Sequence, residues 1–297
     1  MSRTSHHKAR QYLTGYLFIA PWLIGFLVFT VWPFFQSIYL SFTRYNIVSP
    51  AKWVGVSNYR MLLTQDELFW KSAWVTIKFA LFSVPLGIVA GVSLALLLNL
   101  NVKGITTFRT IFYLPSIVPT VATSVLFIWI LNPTIGLVNR VLMLAGIQGP
   151  SWLNTAPWAF YSLVMMSLWG VGGSMIIYLA GLKDIPQHLY EAATIDGANA
   201  FRKMRHITLP MMTPVIFFNL VMGIIGTFQY FTQAYVIAPS GGPGDSTYFY
   251  SLYLYNRAWK YLDMGYASAM AWMLFLLIIV LTGLVFKTQK RWVHYGG

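Results

Sequence analysis

The sequence predicts an all-α integral membrane protein with six transmembrane helices. Of its 297 residues, 57% are hydrophobic and only 9% are charged, whereas about a quarter of the residues in a soluble domain are charged. Six apolar stretches are long enough for the roughly 20 residues that a helix needs to cross the hydrocarbon core. The sequence lacks the alternating segments of about ten residues that are typical of a membrane β-barrel. These observations favour a helical bundle in lipid.

The six stretches contain no Asp or Glu, and only the second contains a basic residue, Lys78. In chain order they cover residues 15–42, 74–98, 110–131, 158–182, 211–237 and 264–286. The first is far longer than the roughly 7–15-residue core of a cleaved signal peptide, so we expect it to remain as a span. The chain is therefore expected to consist of an N-terminal tail (1–14), a six-helix transmembrane domain (15–286) and a C-terminal tail (287–297).

The distribution of Lys and Arg predicts the orientation of these spans. Twelve lie in the two tails and in connections 99–109 and 183–210, against seven in the other connections, which also hold four of the seven acidic residues. Because cytoplasmic loops carry an excess of Lys and Arg, both termini and the 183–210 connection are expected in the cytoplasm. The net charge of +13 is then explained by the Lys and Arg residues of the membrane connections. We therefore expect no nucleic-acid partner.

The connections on the opposite side are expected to form turns and a membrane-interface belt. Residues 239–244 read Pro-Ser-Gly-Gly-Pro-Gly, a density of Pro and Gly that forces turns. Aromatic residues follow, and such residues are enriched where a chain meets the membrane surface. The residues expected in this belt are Tyr248, Tyr250, Tyr253, Tyr255 and Trp259.

The longest polar interval on the predicted cytoplasmic side lies between Leu189 and Pro210. Pro186 is well placed to begin a short helix, and Gly197 can end it in the left-handed conformation. A second short helix is predicted over 198–206, before Pro210 begins the fifth span. One alternative is a helix that merely rests on the membrane, but Glu191 and Asp196 would be repelled by an anionic leaflet. The residues favour a helix-turn-helix that contacts a partner in water.

This interval resembles a known coupling motif. Residues 191–198 read Glu-Ala-Ala-x-x-Asp-Gly-Ala and are followed by Ile207-x-Leu209-Pro210, a pattern similar to the EAA loop of ATP-binding-cassette (ABC) importer permeases. Nearly the whole chain resembles the maltose-type sugar permeases, and its opening resembles the larger maltose permease subunit. The further matching motifs are Phe18-Ile19-Ala20-Pro21, Trp53-Val54-Gly55, Asn58-Tyr59, Phe108-Arg109-Thr110, Leu114-Pro115, Gly241-Gly242-Pro243 and Gly265-Tyr266-Ala267.

The resemblance implies a type I ABC importer permease fold in a bacterial inner membrane. It implies four kinds of partner besides membrane lipid: a second related permease, two cytosolic ABC ATPase subunits, an extracytoplasmic solute-binding protein, and a sugar as the solute. The residues that would couple this chain to the ATPases are Glu191, Ala192, Ala193, Asp196, Gly197 and Ala198. The chain lacks the Gly-x-x-x-x-Gly-Lys phosphate loop. We therefore expect no enzyme activity, cofactor or metal in it, with ATP and Mg²⁺ used by the partner ATPase.

The third, fourth and fifth spans contain small and polar residues that lipid does not require. Hydroxyl and amide groups beside aromatic faces suit a sugar, although helix packing explains such residues equally well and is the better reading for Gly172, Gly173 and Asn219. The resemblance places the solute path at a defined set of positions. They are Ser116, Thr120, Ser167, Gly170, Val171, Ser174, Thr227, Phe228, Tyr230 and Phe231.

Two other classes of function were weighed against an importer. An ion-coupled secondary transporter of a neutral polar solute is the main alternative, but such carriers usually place an ionisable residue in the membrane. None of the six stretches contains a carboxylate. A membrane enzyme is disfavoured because the sequence shows no nucleophile-and-base set.

Overall fold

The computed structural model describes residues 3–294 and is mostly helical. The α-helices of this part of the chain are α1 (Arg3–Phe26), α2 (Trp32–Ser41), α3 (Ser57–Thr64), α4 (Glu67–Leu98), α5 (Ile105–Ile117), α6 (Thr120–Ile130), α7 (Leu137–Leu144), α8 (Ala156–Ser167), α9 (Gly172–Lys183), α10 (Gln187–Ile195), α11 (Ala200–Lys203), α12 (Leu209–Phe228), α13 (Thr232–Ile237), α14 (Tyr250–Tyr255) and α15 (Met264–Trp292). The strands β1 (Thr43–Asn46) and β2 (Ser49–Trp53) form an antiparallel hairpin.

The helices supply spans at the six predicted places. Four candidate spans are Gly15–Ser41, Glu67–Leu98, Ala200–Ile237 and Met264–Trp292. The third and fourth spans differ from simple rods, because α5 and α6 meet at 98° and α8 and α9 at 44°. At the sharper bend Val118 is extended and Pro119 follows it, and a proline both disfavours helix in the residue before it and lacks an N–H. The all-α membrane class is confirmed, with six spans if each bent pair counts as one.

The helices also continue into the two tails. Helix α1 begins at Arg3 and α15 ends at Trp292, so most of the residues assigned to the tails are helical extensions of the first and last spans. Residues 1–2 and 295–297 of the predicted tails lie outside the described residues.

One compact unit comprises the residues up to Gln65 together with Tyr255–Met273. Within it, the buried Asn58 amide donates hydrogen bonds to the carbonyl oxygens of Ser41 (2.8 Å) and Thr43 (2.9 Å), which fixes α3 to the end of α2 and the start of β1. Gly265 allows the start of α15 to approach the same strand, since a Cβ there would lie 2.1 Å from the Thr43 carbonyl oxygen. The polar and small residues of the matching motifs therefore have a packing role here.

The other unit comprises Asp66–Leu254 and the chain from Leu274 onward. Its core lies where α4, α9 and α12 pack together. Gly181 permits α9 to pack on α12, because a Cβ there would lie 2.6 Å from a Val215 methyl. Gly172 permits α9 to approach α5, because a Cβ there would lie 2.0 Å from the Phe112 carbonyl oxygen. The fully or nearly buried core residues are Val92, Ala95, Leu98, Met175, Tyr178, Leu179, Leu182, Ile185 and Met212.

The expected aromatic belt is wrong for three of its five residues. Tyr248, Tyr250 and Tyr253 are at most 6% exposed and pack inside the protein. The Tyr253 hydroxyl donates to Asp66 Oδ2 at 2.5 Å, and the Tyr250 N–H donates to Thr76 Oγ1 at 2.9 Å. Burial, with the nearby Asp66 carboxylate and Tyr253, raises the pKa of Tyr250 above its usual value. Aromatic composition alone did not distinguish a protein core from a membrane surface.

Candidate functional site

The first candidate site is the polar segment between the fourth and fifth spans. Helix α10 begins directly after Pro186 and ends at Ile195. Gly197 follows with φ of +73°, a conformation that favours glycine. The Ala198 N–H then donates to the Ala193 carbonyl oxygen at 2.8 Å, which closes the helix end. The first helix and its glycine stop therefore agree with the sequence-based expectation.

The second helix of this segment was predicted wrongly as a separate element over 198–206. Helix α11 covers only Ala200–Lys203, with the Asn199 side chain accepting a hydrogen bond from the Arg202 N–H at 2.9 Å. A π-helical turn, Met204–Thr208, then continues directly into α12. This wider turn lies just before Pro210, whose missing N–H removes one helical hydrogen bond. Helix α11, the π turn and α12 thus form one continuous helical rod over residues 200–228.

Side-chain contacts fix α10 to this rod. The Tyr190 hydroxyl and Thr208 Oγ1 lie 2.9 Å apart, and Lys203 Nζ donates to Thr194 Oγ1 at 2.7 Å. Leu189, Tyr190 and Ile207 pack against the core formed by α4, α9 and α12. These contacts fix α10 to the fifth span and to the bundle core.

The outer face of the segment combines acidic and apolar side chains. Glu191 and Asp196 are exposed, and Gln187 Nε2 donates to Glu191 Oε1 at 2.9 Å. Ile195 is 88% exposed and Phe201 is 68% exposed. Of the remaining motif residues, Ala192 is exposed, whereas Ala193 and Ala198 are half-buried. Large apolar side chains beside carboxylates are typical of a surface that a protein partner covers.

The second candidate site is a cavity of about 410 Å³ among α4, α8, α9, α12 and α13. Its lining includes hydroxyl, amide and aromatic groups but no Asp, Glu, Lys, Arg or His. The lining residues are Phe79, Ser83, Val84, Gly87, Ile88, Ser167, Ser174, Tyr178, Asn219, Met222, Gly223, Gly226, Thr227, Tyr230 and Gln233. The cavity is therefore suited to an uncharged polar solute.

Tyr230 is the most informative lining residue. Its ring lies 4.5 Å from that of Phe79 and 5.0 Å from that of Phe249, centroid to centroid. Its hydroxyl oxygen is buried and has no hydrogen-bond partner within residues 3–294. Buried hydroxyl groups are normally paired, so this unpaired group, on a residue that lines the cavity, makes Tyr230 the residue to test as a solute contact.

The predicted path residues fall into two groups. Ser167, Ser174, Thr227 and Tyr230 line the cavity. The other six lie at breaks in the spans: Ser116 and Thr120 flank the α5–α6 bend, Gly170 and Val171 lie between α8 and α9, and Phe228 and Phe231 flank the step from α12 to α13. The predicted path residues therefore lie partly in the cavity wall and partly at three helix breaks.

Broken helices at membrane depth have physical significance. Backbone groups freed at a break cannot face lipid and are tolerated only where they are buried or line a cavity. In many transporters, solute sites are built from such discontinuous helices near the bilayer midplane. The third and fourth spans are broken in this way, and a short non-helical step separates α12 from α13 in the fifth.

Sequence reasoning missed the contribution of α4. Phe79, Ser83 and Gly87 recur every four residues and line the cavity, a spacing that places them on one face of a helix. That spacing is the sequence signal for the cavity face of α4, but it is weak because the second span is otherwise apolar. Asn219 was predicted to serve packing between helices, but its Nδ2 donates to the Val215 carbonyl oxygen of its own helix at 2.9 Å. It also lines the cavity.

Comparison with known families gives a match over most of the chain. Residues 83–294 match the family described as the binding-protein-dependent transport system inner membrane component. The probable ABC transporter permease protein YesP of Bacillus subtilis (strain 168) is 46% identical over 296 residues, covering 99% of this chain and 96% of YesP. The trehalose/maltose transport system permease protein MalF of Thermococcus litoralis is 37% identical over 289 residues, covering 97% of each chain.

A solved structure shares the fold. A chain in the crystal structure of a bacterial alginate ABC transporter, in complex with an alginate pentasaccharide-bound periplasmic protein, aligns with a TM-score of 0.84. The alignment covers 98% of each chain at 24% identity. The bent third and fourth spans therefore occur within a known permease architecture.

Proposed function

Because this chain belongs to the family of binding-protein-dependent transport system inner membrane components, we propose that it is the permease subunit of an ATP-driven importer for a sugar or oligosaccharide. The family membership confirms the resemblance drawn from the EAA-like segment. In this proposal a second related permease completes the path. Two cytosolic ATPase subunits supply the energy, and an extracytoplasmic binding protein delivers the solute. Both termini and the 183–210 connection lie in the cytoplasm.

The observation that carries the coupling role is the continuous rod from Ala200 into the fifth span, with α10 fixed to it. Its exposed Glu191, Ile195 and Phe201 form the surface that an ATPase subunit would cover. The Tyr190–Thr208 contact and the packing of Ile207 would pass a movement of that surface into the bundle. A two-state transporter requires such a stiff connection at the point where its energy source attaches.

The chemistry of the cavity supports a sugar as the solute. Sugars present hydroxyl groups at their edges and C–H groups on their faces, which suits hydroxyls and amides beside aromatic rings. Ser83, Ser167, Asn219, Thr227 and Gln233 provide the polar groups, and Phe79 and Tyr230 provide the rings. A relative at 37% identity is named for trehalose and maltose transport. Ion coupling gains no support, because no carboxylate lines the cavity.

Purification of the tagged chain from its native membranes in mild detergent tests the assembly. We expect a second permease and two copies of an ATPase subunit to copurify, identified and counted by mass spectrometry. A chain that emerges alone or as a homodimer, with uptake driven by an ion gradient and not by ATP, would replace the proposal with a secondary transporter.

Replacing Tyr230 with Phe tests the solute path. The substitution removes only a hydroxyl that has no partner among residues 3–294, so the melting temperature should not fall. If this hydroxyl binds the solute, the KM for ATP-driven uptake should rise about 2- to 10-fold, the equivalent of one net hydrogen bond. Tyr235→Phe is the matched control, since Tyr235 lies on α13 but does not line the cavity. An unchanged KM for every sugar transported would remove Tyr230 from the path.

A further inference from the structure

The connection between the third and fourth spans contains a short helix, α7, that buries its asparagine. The Asn139 side chain is 9% exposed. Its Nδ2 donates to the carbonyl oxygens of Pro133 (3.0 Å) and Pro150 (3.3 Å), and its Oδ1 accepts from Trp152 Nε1 at 2.6 Å. Gly149 packs tightly against the same amide, because a Cβ there would lie 2.0 Å from Asn139 Oδ1. The helix is therefore held in one orientation.

The outward side of α7 is apolar. Leu137, Val141 and Leu144 are 61%, 56% and 89% exposed, and their spacing places them in one stripe along the helix. A helix on a water-facing surface shows the opposite pattern, with polar residues outside and apolar residues inside. The exposed aliphatic stripe, on a helix whose orientation is fixed, indicates that an apolar medium or partner covers it.

Position and charge favour lipid as the covering medium. Only residues 131–136 separate α7 from the end of α6, whose own outward side is apolar, with Val125 46% and Trp129 75% exposed. The connection 131–155 contains no Asp or Glu and one basic residue, Arg140, which is exposed on α7. A stripe of aliphatic residues flanked by an arginine suits acyl chains beneath phosphate headgroups.

We propose that α7 lies in the outer leaflet of the membrane as an interfacial anchor, with Leu137, Val141 and Leu144 among the acyl chains and Arg140 at the phosphates. The inference rests on the proposed topology, which places this connection outside the cytoplasm. The anchor would hold the outer ends of the bent third and fourth spans at a fixed depth while the cytoplasmic segment moves.

Site-directed fluorescence tests this placement directly, because the chain contains no cysteine. Leu144→Cys would be labelled with an environment-sensitive fluorophore in the full complex, reconstituted in nanodiscs of phosphatidylethanolamine and phosphatidylglycerol. Val280→Cys in α15, 58% exposed, provides a span position, and Ser240→Cys, exposed in the loop after α13, provides a position in water. We expect the labels at Leu144 and Val280 to show blue-shifted emission and to be quenched by nitroxide lipids. Iodide in the buffer should quench only the label at Ser240.

Three results would overturn the proposal. Quenching at Leu144 by iodide would place α7 in water, and the absence of quenching by either agent would place the stripe against the second permease. Quenching by iodide that disappears only when the binding protein is added would make α7 a docking surface for that protein. The fluorescence measurement does not depend on ATP or solute. The lipid placement of α7 can therefore be wrong while copurification and uptake confirm the importer, and it can be correct while they contradict the importer.

Discussion

Replacing Gly197 with Val is expected to abolish most ATP-driven uptake while leaving the chain folded in the membrane. Gly197 has φ of +73° and nothing within 4 Å of the position of a Cβ, so the cost of a side chain is conformational rather than steric. A non-glycine residue in the left-handed region costs about 1–2 kcal/mol, which reduces the population of correctly formed turns about 5- to 30-fold. Because this turn joins α10 to the rod of the fifth span, uptake and solute-stimulated ATP hydrolysis should fall together.

Two matched variants separate this effect from general strain. Gly197→Asn should retain most activity, since asparagine tolerates the left-handed region better than a β-branched residue. Gly104 also has a positive φ of +81° with nothing near its Cβ position, and it precedes α5, outside the EAA-like segment in the sequence. Gly104→Val should therefore cause similar local strain with little loss of coupling. If Gly197→Val transports normally, or if Gly104→Val is equally defective, the coupling role assigned to this turn is wrong.

Replacing Gly226 with Phe is expected to block solute passage without preventing assembly. Gly226 lies on α12 and lines the 410 Å³ cavity, and a Cβ there would meet no atom within 4 Å. A phenylalanine can therefore extend into the cavity without displacing backbone. Uptake should fall to the level measured without ATP, whereas the ATPase subunits should still copurify and hydrolyse ATP at their basal rate.

Two control variants test whether the size of the side chain and its position in the cavity cause the block. Gly226→Ala adds one methyl group in open space and should transport nearly normally. Gly283→Phe adds the same ring on α15, again with no atom within 4 Å of the Cβ position, but away from the cavity, and uptake should persist. Normal uptake by Gly226→Phe would show that the solute does not pass through this cavity.

The EAA-like segment shows how far local sequence determines structure. Pro186 and Gly197 set the limits of α10 through their own backbone preferences, and the structure agrees with both. The sequence did not reveal that α11 continues through a π turn into α12, because Pro210 was read as a start. Whether a helix stops before a proline depends on how neighbouring turns accommodate the missing hydrogen bond. The local sequence by itself does not determine this.

The spans and the solute path also have some features that the sequence determines and others that only the tertiary structure decides. Hydropathy determined the membrane class and the places of six spans, since crossing hydrocarbon requires long apolar helices whatever surrounds them. Motif resemblance identified the family, and it drew attention to residues at three helix breaks. Only the tertiary structure showed that α4 supplies Phe79 and Ser83 to the cavity wall, that Tyr250 and Tyr253 are core residues, and that α7 turns its apolar side outward. Each of these depends on which face of a helix meets which neighbour, and a serine or tyrosine has the same local sequence signal in lipid, in a core or at a cavity.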